Sequence, residues 1–220
     1  MTVSNGKSEE HGYNLAYRLA VQQLDNIDDI EQQCRNCGAR YIAAPKAISL
    51  DYLNRPYLIS LPNVEISLMG KEEEVPLRDR ILILHYFTSA KGTPLSNTAI
   101  TYRELPEGAT YFPTFYARSI RPLVKHFGNE PRQLLDAAGK LGGHEADFGD
   151  AAVTIHGFRR VPVTLALWQG DDELAPEGNI LFDRTISDYL PTEDIIVLCE
   201  IIARRLIKLR DAGGDNSAPN

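Results

Sequence analysis

The stretch "WQGDDELAPEGNILFD", Trp168 to Asp183, concentrates the side chains of this sequence most able to do chemistry. Asp171, Asp172 and Glu173 are consecutive acids directly after Gly170, and the chain's only tryptophan, Trp168, stands beside them. Adjacent carboxylates repel one another unless a cation, an arginine or backbone N–H groups offset the charge. They are candidate ligands for a hard cation such as Mg²⁺ or Ca²⁺, or a receptor for a basic group. The run is not an EF-hand, whose loop spreads its ligands over twelve residues. The same residues also fit a solvated hairpin loop whose aspartates satisfy turn amides. Trp168 fits either a stacking platform for a planar or cationic ligand or a residue of the core or its rim. Two carboxylates in different environments can divide into an acid and a base, so a metal-assisted or acid–base hydrolase or transferase is the catalytic alternative.

Asp183 closes the stretch, and "TYRELPEG" adds Arg103 and Glu104 from an earlier connection. Arg103, Arg118 and Arg159 are the arginines considered as partners for the acids. Cys34 and Cys37 form a lone CxxC, and no second CxxC or HxxxH completes a zinc set. A redox dithiol would sit at a strand-to-helix junction, whereas this pair is expected to end a helix, where the dipole disfavours a thiolate. Of the histidines, His85 within "ILILHYF" is expected to be a core residue, and His144 lies in the polar loop "LGGHEADFGD". No G-x-S-x-G, P-loop or G-x-G-x-x-G pattern is present.

The composition narrows the partners. With 23 Lys and Arg against 30 Asp and Glu, the formal charge is −7 over 220 residues. Such a chain lacks the basic footprint that a phosphate backbone requires, so neither nucleic acid nor an anionic membrane surface is expected. The first residues, "MTVSNGKSEEHGYN", contain no apolar segment, and the longest apolar runs fall short of a bilayer span, so a cytoplasmic setting is expected.

The elements that must position these residues read as one α+β domain from about 11 to 210, with disordered ends at 1–10 and 211–220. A helix is expected over about Tyr13–Gln33, ending near Gly38. Short strands follow at Arg40–Ala43, Ala47–Tyr52, Tyr57–Leu61 and Val64–Leu68, spaced for an antiparallel meander. Pro76 is placed at the start of a central helix around Ile81–Phe87 that Gly92 ends. Further helices are expected at about Thr114–Phe127 and Pro131–Leu141. Strands at Ala151–His156, Val161–Trp168 and Asn179–Phe182 surround the acidic turn. Thr192 is expected to cap a last helix whose buried stripe includes Ile195, Cys199, Ile202, Leu206 and Leu209.

The segments "ILHYFTSAKGTPLSNTAITYRELPEG", "FGNEPRQLLDAAGKLGG" and "GFRRVPVTLALWQGDDELAPEGNILFDRTISDYLPTEDIIVL" together resemble a family catalogued as DUF3786, a domain of unknown function. The likeness runs from about Gly38 to Leu206 and is densest at Trp168, Gly170, Asp171, Asp172 and Glu173. It implies an anaerobic, cytoplasmic setting and a link to corrinoid or iron–sulfur metabolism, since some relatives carry an additional cysteine-rich iron–sulfur segment. One CxxC cannot hold a [4Fe–4S] cluster, which takes four thiolates. The resulting expectation is an accessory domain that binds a small molecule or a protein partner, with a divalent cation or a corrinoid as the cofactors considered.

Overall fold

The computed structural model describes the backbone of residues 3–214, and these residues cluster into two compact units. The first unit runs to Thr93 and takes back Asp188–Leu190; the second holds Pro94–Ser187 and the chain from Pro191 onward. The fold is α+β with antiparallel strand pairing throughout both units.

The first unit opens with α1 (Val3–Asp25) and α2 (Ile30–Cys37). A single helix over Tyr13–Gln33 was the sequence expectation; instead the chain breaks at "NIDD". There the Asp29 carboxylate accepts the Gln32 amide at 2.8 Å and starts a new helix. Gly38 ends α2 in the left-handed conformation expected of it, at φ 75°. Four strands follow: β1 (Arg40–Ala43), β2 (Lys46–Tyr52), β3 (Arg55–Ser60) and β4 (Glu65–Leu68). They pair in sequence order as the predicted meander. Helix α3 (Leu77–Ser89) buries Ile81 to Leu84, Tyr86 and Phe87, as its all-round apolar pattern requires. Pro76 precedes the helix as its cap residue, and the helix ends at Ser89, before Gly92. The Tyr86 hydroxyl donates to the Cys37 carbonyl at 2.6 Å and ties α3 to the end of α2.

The second unit begins with β5 (Ala99–Thr101) and a 3₁₀ turn, Tyr102–Glu104. A long helical run follows in three parts: α4 (Gly108–Phe115), a π-helical segment (Tyr116–Ile120) and α5 (Arg121–Phe127). Pro113 and Pro122 bracket the π segment. Neither has an N–H to donate, and a proline ring crowds the carbonyl four residues back, so the helix widens between them. Helix α6 (Arg132–Gly139) leads into β6 (His144–Ala146), β7 (Ala151–Phe158), β8 (Val161–Trp168) and β9 (Glu177–Asp183). The pairing runs β6–β7–β8–β9–β5, antiparallel at each step. Helix α7 (Thr192–Gly214) buries Ile195, Leu198, Cys199, Ile202 and Leu206 completely. Thr192 does not cap it as expected: its hydroxyl donates to the Pro106 carbonyl at 2.9 Å. Residues 1–2 and 215–220 of the expected disordered ends lie outside the described residues, while 3–10 and 211–214 are helical. Among the described residues no helix is long and apolar enough to cross a membrane.

The 3₁₀ turn and α4 meet without room to spare. A Cβ added at Gly108 would lie 2.0 Å from the Tyr102 carbonyl oxygen and 3.2 Å from the Leu105 Cβ. Gly108→Ala should therefore cost about 1–3 kcal/mol or more, read as a lowered urea midpoint with an unchanged slope. Gly139, whose added Cβ meets nothing within 4 Å, is the matched control, and Gly139→Ala should leave the midpoint level or raised.

Candidate functional site

The β8–β9 connection occupies one end of the β7–β8–β9 layer, where strand backbones run out and their amides need other partners. Two carboxylates supply them. Asp150 Oδ2 accepts the Gln169 amide at 2.7 Å, while the Asp150 amide donates to the Leu167 carbonyl at 2.9 Å. Asp171 Oδ1 accepts the amides of Glu173 and Leu174, both at 2.8 Å, and the Asp171 amide donates to the Leu174 carbonyl. These amide bonds hold the Asp171 carboxyl below its ordinary pKa. Gln169 adds a side-chain bond to the Asn129 carbonyl. The loop before β7 lies against the same end: Gly149 has φ +58°, and a Cβ there would stand 2.5 Å from the Leu167 carbonyl and 3.2 Å from the Trp168 ring.

The side chains left facing outward are of two kinds. Trp168, Phe148 and Leu174 are 41%, 44% and 70% exposed, which for large apolar groups on one tied-down surface is a departure from ordinary packing. Asp172 and Glu173 are exposed, and their carboxylates take no part in the loop's hydrogen bonds among the described residues. Over the two stretches 144–151 and 168–177 there are seven acidic residues and no lysine or arginine.

The cation set expected at Asp171, Asp172 and Glu173 is not assembled. One Asp171 carboxylate oxygen is turned into its own loop, and no three His, Cys, Asp or Glu side chains among the described residues gather to hold an ion. Two of the candidate arginines are elsewhere as well. Arg159 sits in the β7–β8 turn, at the opposite end of that hairpin from Trp168. Arg103 lies over Phe112, with its guanidinium carbon 3.6 Å from the ring centroid. Glu104 is turned onto the Thr101 amide (2.7 Å) and hydroxyl (2.9 Å), a capping box whose bonds lower its pKa.

Cys34 and Cys37 are both buried in the last turn of α2, with the Cys37 thiol 3.6 Å from the Cys34 carbonyl. Burial, then the charge of Glu31, pushes the Cys34 thiol up to about 11. Cys199 is buried in α7 and its pKa is also raised by burial. No third His, Cys, Asp or Glu gathers with a pair of these cysteines among the described residues, so they do not make up the four-ligand set of a zinc or iron–sulfur centre. Cys34 lines a cavity of about 420 Å³ with Glu31, Arg35 and Tyr41; a second cavity, of about 210 Å³, lies between Arg103, Phe112, Tyr116 and Asn179. Neither encloses a group the size of a corrinoid.

His144, expected in a polar loop, is the first residue of β6, and its ring stacks on His156 with centroids 6.1 Å apart. Burial first, and the neighbouring His144 second, depress the pKa of His156. Phe148 and Leu174 were not singled out from the sequence. Their one local signal is a large apolar residue flanked by acids in a turn, "ADFGD" and "DDELAP".

Asp183, placed among the ligand-binding candidates, is a structural acceptor. It receives the Ser96 amide and hydroxyl, the Asn97 amide, and the Thr185 amide and hydroxyl, at 2.7–3.1 Å. Burial raises its pKa, but these donors outweigh burial and bring it down to about 2. A depressed carboxyl stabilises the fold above its unfolded pKa, near 3.8, and that stability is lost as pH falls toward 2. Asp183→Asn should cost about 1–2 kcal/mol at neutral pH. Between about pH 4 and pH 2 the gap between wild type and variant should close in urea unfolding; a gap that stays constant would contradict the assignment.

Comparison with protein families matches residues 29–205 to DUF3786, a domain of unknown function. Comparison with curated proteins and with solved structures gives no match. A match over most of the chain fixes the membership: the protein belongs to the DUF3786 family.

Proposed function

We propose that the chain is an accessory binding domain that docks a basic segment of a protein partner, bearing apolar side chains, at the Trp168–Leu174 end of β7–β8–β9. The observation that carries this reading is the pairing of exposed Trp168, Phe148 and Leu174 with a surface whose charges are all of one sign. An aromatic face attracts a lysine or arginine, the free carboxylates of Asp172 and Glu173 complement it, and Leu174 offers apolar area. The loop beneath is tied by Asp150 and Asp171, so little ordering remains to oppose binding. A partner within anaerobic corrinoid or iron–sulfur metabolism, in the cytoplasm, is the one the family resemblance favours.

A hydrolase or transferase at the same acids is less well supported. Acid–base catalysis by paired carboxyls wants one of them raised in pKa, and Asp171 moves the other way in an open turn. Among the described residues no salt bridge joins Asp171, Asp172 or Glu173 to an arginine, lysine or histidine.

Trp168, as the only tryptophan, reports directly on its own surface. Titration with a synthetic peptide of alternating arginine and leucine should give a saturable change in its emission that weakens with added salt. Reversing two charges, Asp172→Lys with Glu173→Lys, should weaken binding by roughly tenfold or more. The same reversal at Asp25 and Asp28, exposed acids outside this surface, should leave it within about a factor of two. Equal losses from both pairs, or equal binding of an acidic peptide, would refute the docking surface.

A further inference from the structure

The cavity of about 210 Å³ in the second unit is built from different parts and carries the opposite chemistry. Thr101 and Arg103 come from the end of β5 and the 3₁₀ turn, Phe112 from α4, Tyr116 and Ile120 from the π segment, and Asn179 from β9. Arg103 is the only charged side chain among its lining residues. Its guanidinium carbon stands 3.6 Å over the Phe112 ring centroid, and the side chain is exposed, so its N–H donors remain accessible. The carboxylate next to it in sequence, Glu104, is spent on Thr101 and does not neutralise it. No ion pair or hydrogen bond from the Arg103 guanidinium exists among the described residues.

The other polar groups agree in sense. The Asn179 side-chain oxygen accepts the Ile180 amide at 2.8 Å, which leaves its NH₂ as a donor. The Thr101 hydroxyl gives its proton to Glu104. The rest of the wall is the Phe112 and Tyr116 rings, the buried Ile120 side chain and Gly178. Tyr116 and Ile120 are the first and last residues of the π segment, and such widened turns recur at functional sites because they re-aim side chains that a regular helix would place elsewhere.

We propose that this cavity binds a small aromatic monocarboxylate. A carboxylate meets the edge of a stacked guanidinium in a two-point contact, and the aromatic portion lies against Phe112, Tyr116 and Ile120. The volume is below the range of pockets for drug-sized ligands, which limits the occupant to about one ring and a short arm. The site is separate from the acidic docking surface and stands or falls independently of it.

The test is amide-resolved NMR of the full chain titrated with benzoate, phenylacetate and 3-phenylpropionate, each beside its neutral amide. At least one acid should produce saturable shifts at Arg103, Phe112, Tyr116 and Asn179. Its amide should bind about tenfold more weakly or less, because it forfeits the charge-assisted pair. Arg103→Gln should lose about tenfold in affinity, and Arg103→Lys should recover only part of it, since a point charge replaces the fork. Arg118→Gln, at an exposed arginine of the π segment outside the cavity lining, should bind as wild type does, and so should the Asp172→Lys, Glu173→Lys variant. Absence of saturable shifts with all three acids at millimolar concentration overturns the proposal. So does equal binding of acid and amide, or an equal loss from Arg118→Gln.

Discussion

The acidic end of the second unit depends on how its carboxylates are divided between the backbone and solvent. Where β8 ends at Trp168, the amides of Gln169, Glu173 and Leu174 have no strand to bond to. Asp150 and Asp171 take them over. A charge-assisted bond to a backbone amide is short and directional, so these acids hold the turn closed. Asp172 and Glu173 are then left outward, beside a tryptophan that a firmly bonded loop keeps from folding away. Three neighbouring acids thus do two jobs, and the one that shapes the loop is the one least available to a ligand.

A similar division operates at Arg103 and Glu104. Glu104 closes the 3₁₀ turn by bonding Thr101, and Arg103, freed from it, settles on Phe112. The position of Phe112 follows from a helix that starts at Gly108, immediately after the turn, and is widened between Pro113 and Pro122. Backbone constraints therefore shape two contrasting places among the described residues: an anionic surface with aromatic and aliphatic groups, and a cationic, aromatic-walled cavity.

Much of this architecture is readable in the sequence because alternation and turn residues leave few choices. β1 at Arg40–Ala43 and β8 at Val161–Trp168 fall on the expected residues, and Gly38 ends its helix as its lack of Cβ allows. The misreadings have specific causes. Asp29, inside the single helix expected over about Tyr13–Gln33, is a cap that begins a second helix. The helix expected from about Thr114 starts earlier, at Gly108, with Pro113 inside it. β5 and β6 are three residues each, too short for periodicity to register. At the site, Trp168 and the acid run stand out by composition. What each acid does depends on whether an orphaned amide lies within reach, and Phe148 and Leu174 join the surface through three-dimensional proximity alone. Arg159, plausible as a partner on charge, is excluded only by the antiparallel hairpin that carries it to the far end.

Site-resolved amide hydrogen exchange at Gln169, Glu173 and Leu174 tests this division of the carboxylates most directly. All three amides should be protected relative to an unstructured chain at neutral pH. Asp171→Asn should release Glu173 and Leu174 while leaving Gln169, bonded to Asp150, unchanged. Exchange of all three at unstructured-chain rates in the wild type would mean that the loop is not held, and the outward presentation of Trp168, Asp172 and Glu173 would lose its physical basis.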